Sequence, residues 1–174
     1  HLHAVRDITL AIPYAHLHSD IVKTTIALFV AEVLYKSVRE EEKNEALFTY
    51  ISSSLLALDI AHDGVANFHL VFMMHLARFL GFYPLENESG PNSVFDLTNG
   101  MFVATTPNHF NFLDVVESRL FEEVFHSDFE RMHELHLNGE KRRIAVNAII
   151  RYYGSHVAGM QQIVSHEILS TVIQ

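Results

Sequence analysis

The sequence predicts a mainly α-helical domain: about six helices in an orthogonal bundle, with one short β-hairpin and an incoming N-terminal strand. Three observations predict it. Apolar residues recur at i, i+3, i+4, i+7 in several long segments, the spacing of a helix with one buried face. The segment VANFHLVFMMHLARFL, residues 65–80, is apolar nearly all round, as a helix at the centre of a fold is. Between VFDL and MFVAT stands Asn99-Gly100, the strongest short hairpin signal. The 174 residues suit a single domain, and 49% hydrophobic against 19% charged residues excludes a disordered tail.

The elements follow in order. Residues 4–12, AVRDITLAI, lean towards a strand, and Pro13 stops them. A first helix covers 19–40, with Ser19 or Asp20 as its cap and Ile26, Phe29, Val30, Val33 and Leu34 as its apolar face. Glu32 and Lys36 form an i, i+4 pair in the favourable order. The charged run 39–45 is a solvated turn. Asn44 can cap a second helix over 45–61, with Leu47, Tyr50, Ile51, Leu55 and Leu58 on one stripe, and Asp63-Gly64 breaks it. The third helix spans 65–80. Its polar residues Asn67, His75 and Arg78 share a stripe, because separations of 8 and 11 are close to whole turns.

Residues 81–93 hold turn formers and no periodicity, so they form a loop. The hairpin covers 94–105, and Pro107 ends it. A helix covers 113–125. Ser127 and Glu130 match a capping box before a short helix at 128–137. Asn138-Gly139 opens a helix at 140–157, with Val146, Ile149, Ile150 and Tyr153 on its buried face. Ser165 caps a last helix at 166–173.

Composition narrows the function. With no Cys, the chain has no disulfide, thiolate zinc site, iron–sulfur cluster or cysteine nucleophile. The net charge of −9 makes it a poor general nucleic-acid binder, since that affinity comes from Lys and Arg on phosphates. The chain opens HLHAVRD, with neither the basic nor the apolar region of a signal peptide and without Met, which predicts a piece of a longer protein. Its most apolar stretch carries His69, His75 and Arg78 and falls short of the roughly 20 residues that span a bilayer.

The 13 His invite a metal reading. Glu123-x-x-His126 and Glu130-x-x-His133 have the spacing of di-iron bundles, which places both ligands on one helix face. Such a site needs the two motifs on facing helices, with a further Glu from each of two others. Here they lie seven residues apart, so the expectation is no metal and no cofactor. Ser52, Ser53 and Ser54 sit mid-helix, no Gly-x-Ser-x-Gly elbow exists, and the seven Gly are scattered singly. No catalytic residue is assigned. A metal-dependent helical enzyme using the Glu-x-x-His pairs stands as the alternative.

Two basic features remain. Lys141-Arg142-Arg143 crowd a helix start, where the macrodipole disfavours positive charge. Arg143, Asn147 and Arg151 form a stripe that is either a solvated face or a contact for an anion or acidic peptide. Arg78 lies on an apolar helix and must reach water or a partner.

The segments 13–48 and 66–84, the FDL-x-NG-x-F motif at 95–102, Pro107-x-His109 and the Tyr152-Tyr153 pair resemble the RecO family of DNA repair proteins in its Bacteroidetes form. The resemblance covers residues 4–173 in order and is weakest over 154–174. It implies an N-terminal OB-fold barrel followed by a mostly helical domain. Residues 1–14 are then the run-out from an absent barrel, and 15–174 the helical domain. It also implies a cytoplasmic, nucleoid-associated recombination mediator with no membrane contact, working with RecR and RecF, annealing strands and helping to load RecA. Single-stranded DNA would be bound mainly by the absent barrel. In the family the helical domain holds a pocket for the acidic, Phe-ended tail of single-stranded DNA-binding protein. Such a tail needs cations and an apolar hole, and Lys36, Arg39 and Arg78 are the cations nearest apolar helix surface, with Arg143 and Arg151 as a second basic stripe. A domain that only positions the barrel and its partners is the remaining alternative. Many RecO proteins carry a four-Cys zinc element; the corresponding region here, 84–109, has no Cys, so its ligands do not carry over.

Overall fold

The computed structural model describes residues 13–39, 43–85, 87 and 90–173. The expected incoming strand at 4–12 lies outside them; of the expected first helix, 19–40, only Glu40 does, and the helix ends at Ser37 with Val38 extended.

The described residues form six α-helices and a small sheet; the helices are α1 (Ile21–Ser37), α2 (Glu45–Ile60), α3 (Phe68–Phe79), α4 (Val115–Phe125), α5 (Gly139–His156) and α6 (Ser165–Val172). Cap side chains set most of their starts. Asp20, of the two candidates, accepts from the Val22 and Lys23 N–H groups. Asn44 and Asn138 do the same for Leu47 and Lys141. Asp114 and Glu117 form a reciprocal capping box on α4, a signal missed in the sequence. None of these helices is long and apolar enough to cross a membrane.

Helix α3 is central. Every residue from Phe68 to Ala77 except His75 is buried, and α1, α2, α4 and α5 all pack on it. Two tyrosines tie its backbone to its neighbours: Tyr50 donates to Phe72 O at 2.8 Å and Tyr153 to Met73 O at 2.6 Å. The entry to α1 is fastened by Asp59 at the end of α2. Its carboxylate accepts from the N–H groups of Ala15, His16 and Leu17 at 2.7–2.9 Å, while its carbonyl accepts from buried Lys23 Nζ. Burial pushes the Asp59 pKa up, but those three N–H donors outweigh it and leave the carboxyl below its ordinary value.

Among the described residues the sheet has three strands, β1 (Val94–Asp96), β2 (Met101–Val103) and β3 (Phe112–Leu113), in the order β2-β1-β3. β1 pairs antiparallel with β2, Phe95 opposite Phe102, and with β3, Phe95 opposite Leu113. The third strand was not expected. Gly100, at φ +65°, closes the connection between the first two with its N–H on Asp96 O. Phe95 packs on Phe121 of α4 and Tyr152 of α5, which binds the sheet to the helices.

Two expectations are corrected. Residues 128–137 form no α-helix, only a 3-10 turn at Met132–Glu134. Asp128, not Ser127, accepts the Glu130 and Arg131 N–H groups there. Ser165 is the first residue of α6 and not its cap, because its hydroxyl is taken by Glu32.

Candidate functional site

The basic residues were the sequence's best candidates, and the structure sends them to different neighbours. Lys36, in the last turn of α1, donates to Gln162 O at 2.5 Å and pairs with Glu32 at 3.4 Å. Arg39, just past the helix, reaches Ala158 O at 3.4 Å. Both cations therefore meet the turn that leads into α6. They also suit the negative end of the α1 dipole.

Glu32 is the hub of this edge. It accepts from the Ser165 N–H at 3.0 Å, the Val164 N–H at 3.4 Å and the Ser165 hydroxyl. Burial raises its pKa, and these donors with the Lys36 ammonium lower it by more, leaving the carboxyl below its ordinary value. Around the edge stand large exposed apolar side chains: Tyr35 (87% exposed) and Leu28 on α1, Val164 beside α6 and Ile168 on it. Positive charge beside exposed apolar surface is what an acidic, aromatic-ended peptide requires.

Arg78 does not join them through any shared contact. Its guanidinium lies 4.2 Å from the Tyr83 ring centroid, a cation–π contact that answers why an exposed Arg sits on an apolar helix. The rest of its stripe is structural. His75 Nε2 meets Ser127 O at 2.9 Å, and Asn67 donates to Met132 O and Leu135 O.

Of the second stripe, Arg143 and Asn147 are exposed. Arg151 is committed: it donates to both carboxylate oxygens of Glu117, at 2.8 and 3.0 Å, and to Phe112 O. The residue that the sequence reading passed over is Arg142. It is buried, and its guanidinium donates to Asn67 Oδ1, Ile173 O and Leu137 O. A signal existed, since Arg142, Val146, Ile149 and Tyr153 follow the i, i+4, i+7, i+11 spacing of the buried face.

The Glu-x-x-His pairs lose their geometric basis. The second would need the helix at 128–137 that does not form, and His133 Nδ1 instead faces Glu130 O at 2.8 Å. Glu123 and His126 are exposed on α4 and at its end. Among the described residues no three His, Asp or Glu side chains gather as a metal site. Ser52, Ser53 and Ser54 each donate to the carbonyl four residues earlier, the ordinary fate of a mid-helix hydroxyl.

A family model described as "Recombination protein O C terminal" matches residues 18–162. A DNA repair protein RecO from Flavobacterium psychrophilum is 35% identical over 98% of this chain and 70% of its own length. One from Bacteroides fragilis is 35% identical over 90% of this chain and 65% of its own length. One from Porphyromonas gingivalis is 29% identical over 98% of this chain and 71% of its own length. No solved structure matches.

Proposed function

The chain belongs to the RecO family, in the region described as the C-terminal part of recombination protein O, and from that premise we propose that it is a non-catalytic protein-interaction domain of a recombination mediator in DNA repair. Its partners are the acidic C-terminal tail of single-stranded DNA-binding protein, RecR and RecF. Strand annealing and RecA loading are activities of the full protein, in which an OB-fold barrel ahead of residues 1–14 supplies most of the single-stranded DNA surface. Residues 15–174 form an orthogonal bundle that carries the protein contacts.

One observation carries the reading: Lys36 and Arg39 stand together at the end of α1, beside exposed Tyr35 and Val164. The ammonium of Lys36 has three donors and the guanidinium of Arg39 five, so each keeps capacity for a carboxylate after its bond to a carbonyl. The terminal Phe of the tail packs on the neighbouring apolar side chains. Arg78 and, of the second stripe, Arg143 attract the more distant carboxylates of the tail, while Arg151 is held by Glu117.

The test is a fluorescence-anisotropy titration with a labelled acidic, Phe-ended peptide at two salt concentrations, beside a labelled single-stranded oligonucleotide. The expected result is salt-sensitive peptide binding, with weak or no oligonucleotide binding. Lys36→Glu/Arg39→Glu should weaken the peptide about tenfold or more, with an unchanged far-ultraviolet spectrum. Equal binding by wild type and double variant, or no binding at all, overturns the site.

A scaffold reading is favoured by one fact: Lys36 and Arg151 already bond to main-chain carbonyls of other elements. It expects Ala at Lys36, Arg39 and Arg78 to lower stability while leaving every partner affinity unchanged.

A further inference from the structure

A groove of about 850 Å³ runs between α2, α3 and the turn at 128–130. Its floor is aromatic. Tyr50 stacks on Phe79 with ring centroids 4.8 Å apart and faces Phe129 at 6.4 Å, and Phe129 stacks on buried Phe68 at 4.9 Å. The floor is also rigid, because the Tyr50 hydroxyl is anchored on Phe72 O in the central helix. Along α2 the wall is made of small side chains, among them Ala46, Thr49, Ser53 and Ala57. The Ser53 hydroxyl is turned back onto Thr49 O at 2.7 Å, so the wall presents little unmet polar demand.

The charge of this groove is one-sided. Glu45, Asp128 and Glu130 line it, and no Lys or Arg does. Two of the three cations close to it in sequence are occupied elsewhere, and the third, Lys43, meets Glu45 at the rim of the groove itself. Lys43 pairs with Glu45 at a mostly exposed position, Arg131 pairs with Glu134 at 3.1 Å, and Arg78 lies on the Tyr83 ring. An acidic peptide would meet like charge here. An apolar segment bearing Lys or Arg would find an aromatic floor between carboxylates.

We propose that this groove docks a basic amphipathic helix of a protein partner. Its apolar face lies on Tyr50, Phe79 and Phe129, and its Lys or Arg side chains reach Glu45, Asp128 and Glu130. The shape of the wall favours a helix over an extended strand. From Ala46 to Ala57 it runs about three turns, roughly 17 Å, with side chains small enough for a second helix axis to approach closely. Anchors at i, i+3 or i+4, and i+7 of the partner cover about 10 Å of that length. The proposal does not depend on where the acidic tail binds. It gives the domain two surfaces of opposite charge preference.

The test uses a labelled helical peptide of about 18 residues, Leu at i, i+3, i+4 and i+7 and Lys elsewhere. Its twin with Glu in place of Lys, and a scrambled peptide of the same composition, serve as comparisons. Affinity is read by anisotropy and the site by amide chemical shifts of the ¹⁵N-labelled chain. The expected result is binding of the amphipathic Lys peptide alone, with shifts concentrated at residues 46–57 and 128–130. Glu45→Lys/Glu130→Lys should weaken it about tenfold. Glu123→Lys/Glu167→Lys makes the same change in net charge elsewhere and should leave affinity within about twofold. Binding of the Glu twin, equal binding of the scrambled peptide, an equal loss in the two double variants, or no binding of the Lys peptide each overturns the proposal.

Discussion

Arg142 Nε donates to Asn67 Oδ1 at 3.1 Å, joining the start of α5 to the start of α3 across 75 positions of sequence. Neither side chain is spent on the other alone. Asn67 passes its amide hydrogens to Met132 O and Leu135 O, and Arg142 passes its own to Ile173 O and Leu137 O. Four segments therefore depend on two polar side chains in a buried place. Arg142 has neutral acceptors and no carboxylate partner among the described residues, and burial pushes its pKa down.

Asn67→Ala should therefore cost about 3 kcal/mol, well above the usual loss of one hydrogen bond. It strands two carbonyls and removes an acceptor from a buried cation. Urea unfolding monitored by circular dichroism measures it. A loss under about 1 kcal/mol would mean that water replaces the amide freely and that the junction is not a keystone.

The same junction shows what could be read in the sequence. Helices with a cap and a clean apolar stripe were legible, as Asp20, Asn44 and Asn138 all act where sequence rules put them. The segment 128–137 was not. A capping-box pattern at Ser127 and Glu130 announces a helix there, yet Asn67 takes the carbonyls of Met132 and Leu135, and Gly64 packs against the backbone of His133. Tertiary bonds there outbid a local preference worth only tenths of a kcal/mol per residue. Strand β3 is two residues long, too short for any alternation to show. Arg142 was legible by spacing and was hidden by its neighbours, since Lys141 and Arg143 make the run look like surface. The edge formed by Lys36, Arg39 and α6 joins residues more than 100 positions apart, which no local pattern reports.

Gly64 allows a sharp test of that packing. It sits at φ +68°, and a Cβ there would lie 2.6 Å from His133 N and 2.7 Å from its Cα. Both obstacles are backbone and cannot swing aside. Gly64→Ala should destabilise by about 2–4 kcal/mol, combining left-handed strain with a main-chain clash. Gly81→Ala shares the strain, at φ +84°, but has nothing within 4 Å of the new carbon, so it should cost only about 1–2 kcal/mol. Equal melting-temperature losses in the two variants would remove the clash from the account.

His69 makes stability depend on pH. It is fully buried on α3, edge-on to Phe29 at 5.7 Å. Burial and the charge of Arg142 push its pKa down to about 3, with the Ala66 carbonyl opposing them weakly. An unfolded His titrates near 6.5. Between those values the unfolded chain binds a proton that the folded chain refuses. The stabilising contribution is full above about pH 6.5 and falls as pH drops towards 3, at up to about 1.4 kcal/mol per pH unit. His69→Phe should flatten the stability curve between pH 6.5 and 4 while keeping the ring contact with Phe29. Parallel curves for variant and wild type would show that His69 titrates alike in both states.

Helix α6 depends on a single carboxylate. Glu32 on α1 holds the Val164 and Ser165 N–H groups, which are free donors at the start of α6, together with the Ser165 hydroxyl. Val164 itself, in the N-cap position, offers no side-chain acceptor. Glu32 thus supplies from another helix what a cap residue supplies locally. Because its folded pKa is lowered, its contribution is full above the ordinary Glu value and is lost as pH falls through the lower folded one. Glu32→Gln should release α6 selectively. Amide hydrogen exchange over 165–172 should speed up about tenfold or more at neutral pH, while the amides of α3 change far less. Global stability should fall by about 1 kcal/mol, reduced from the full value of a charged hydrogen bond because the side chain is partly solvated. If α3 and α6 accelerate by the same factor, α6 does not open on its own, and the carboxylate stabilises the whole fold without acting as its latch.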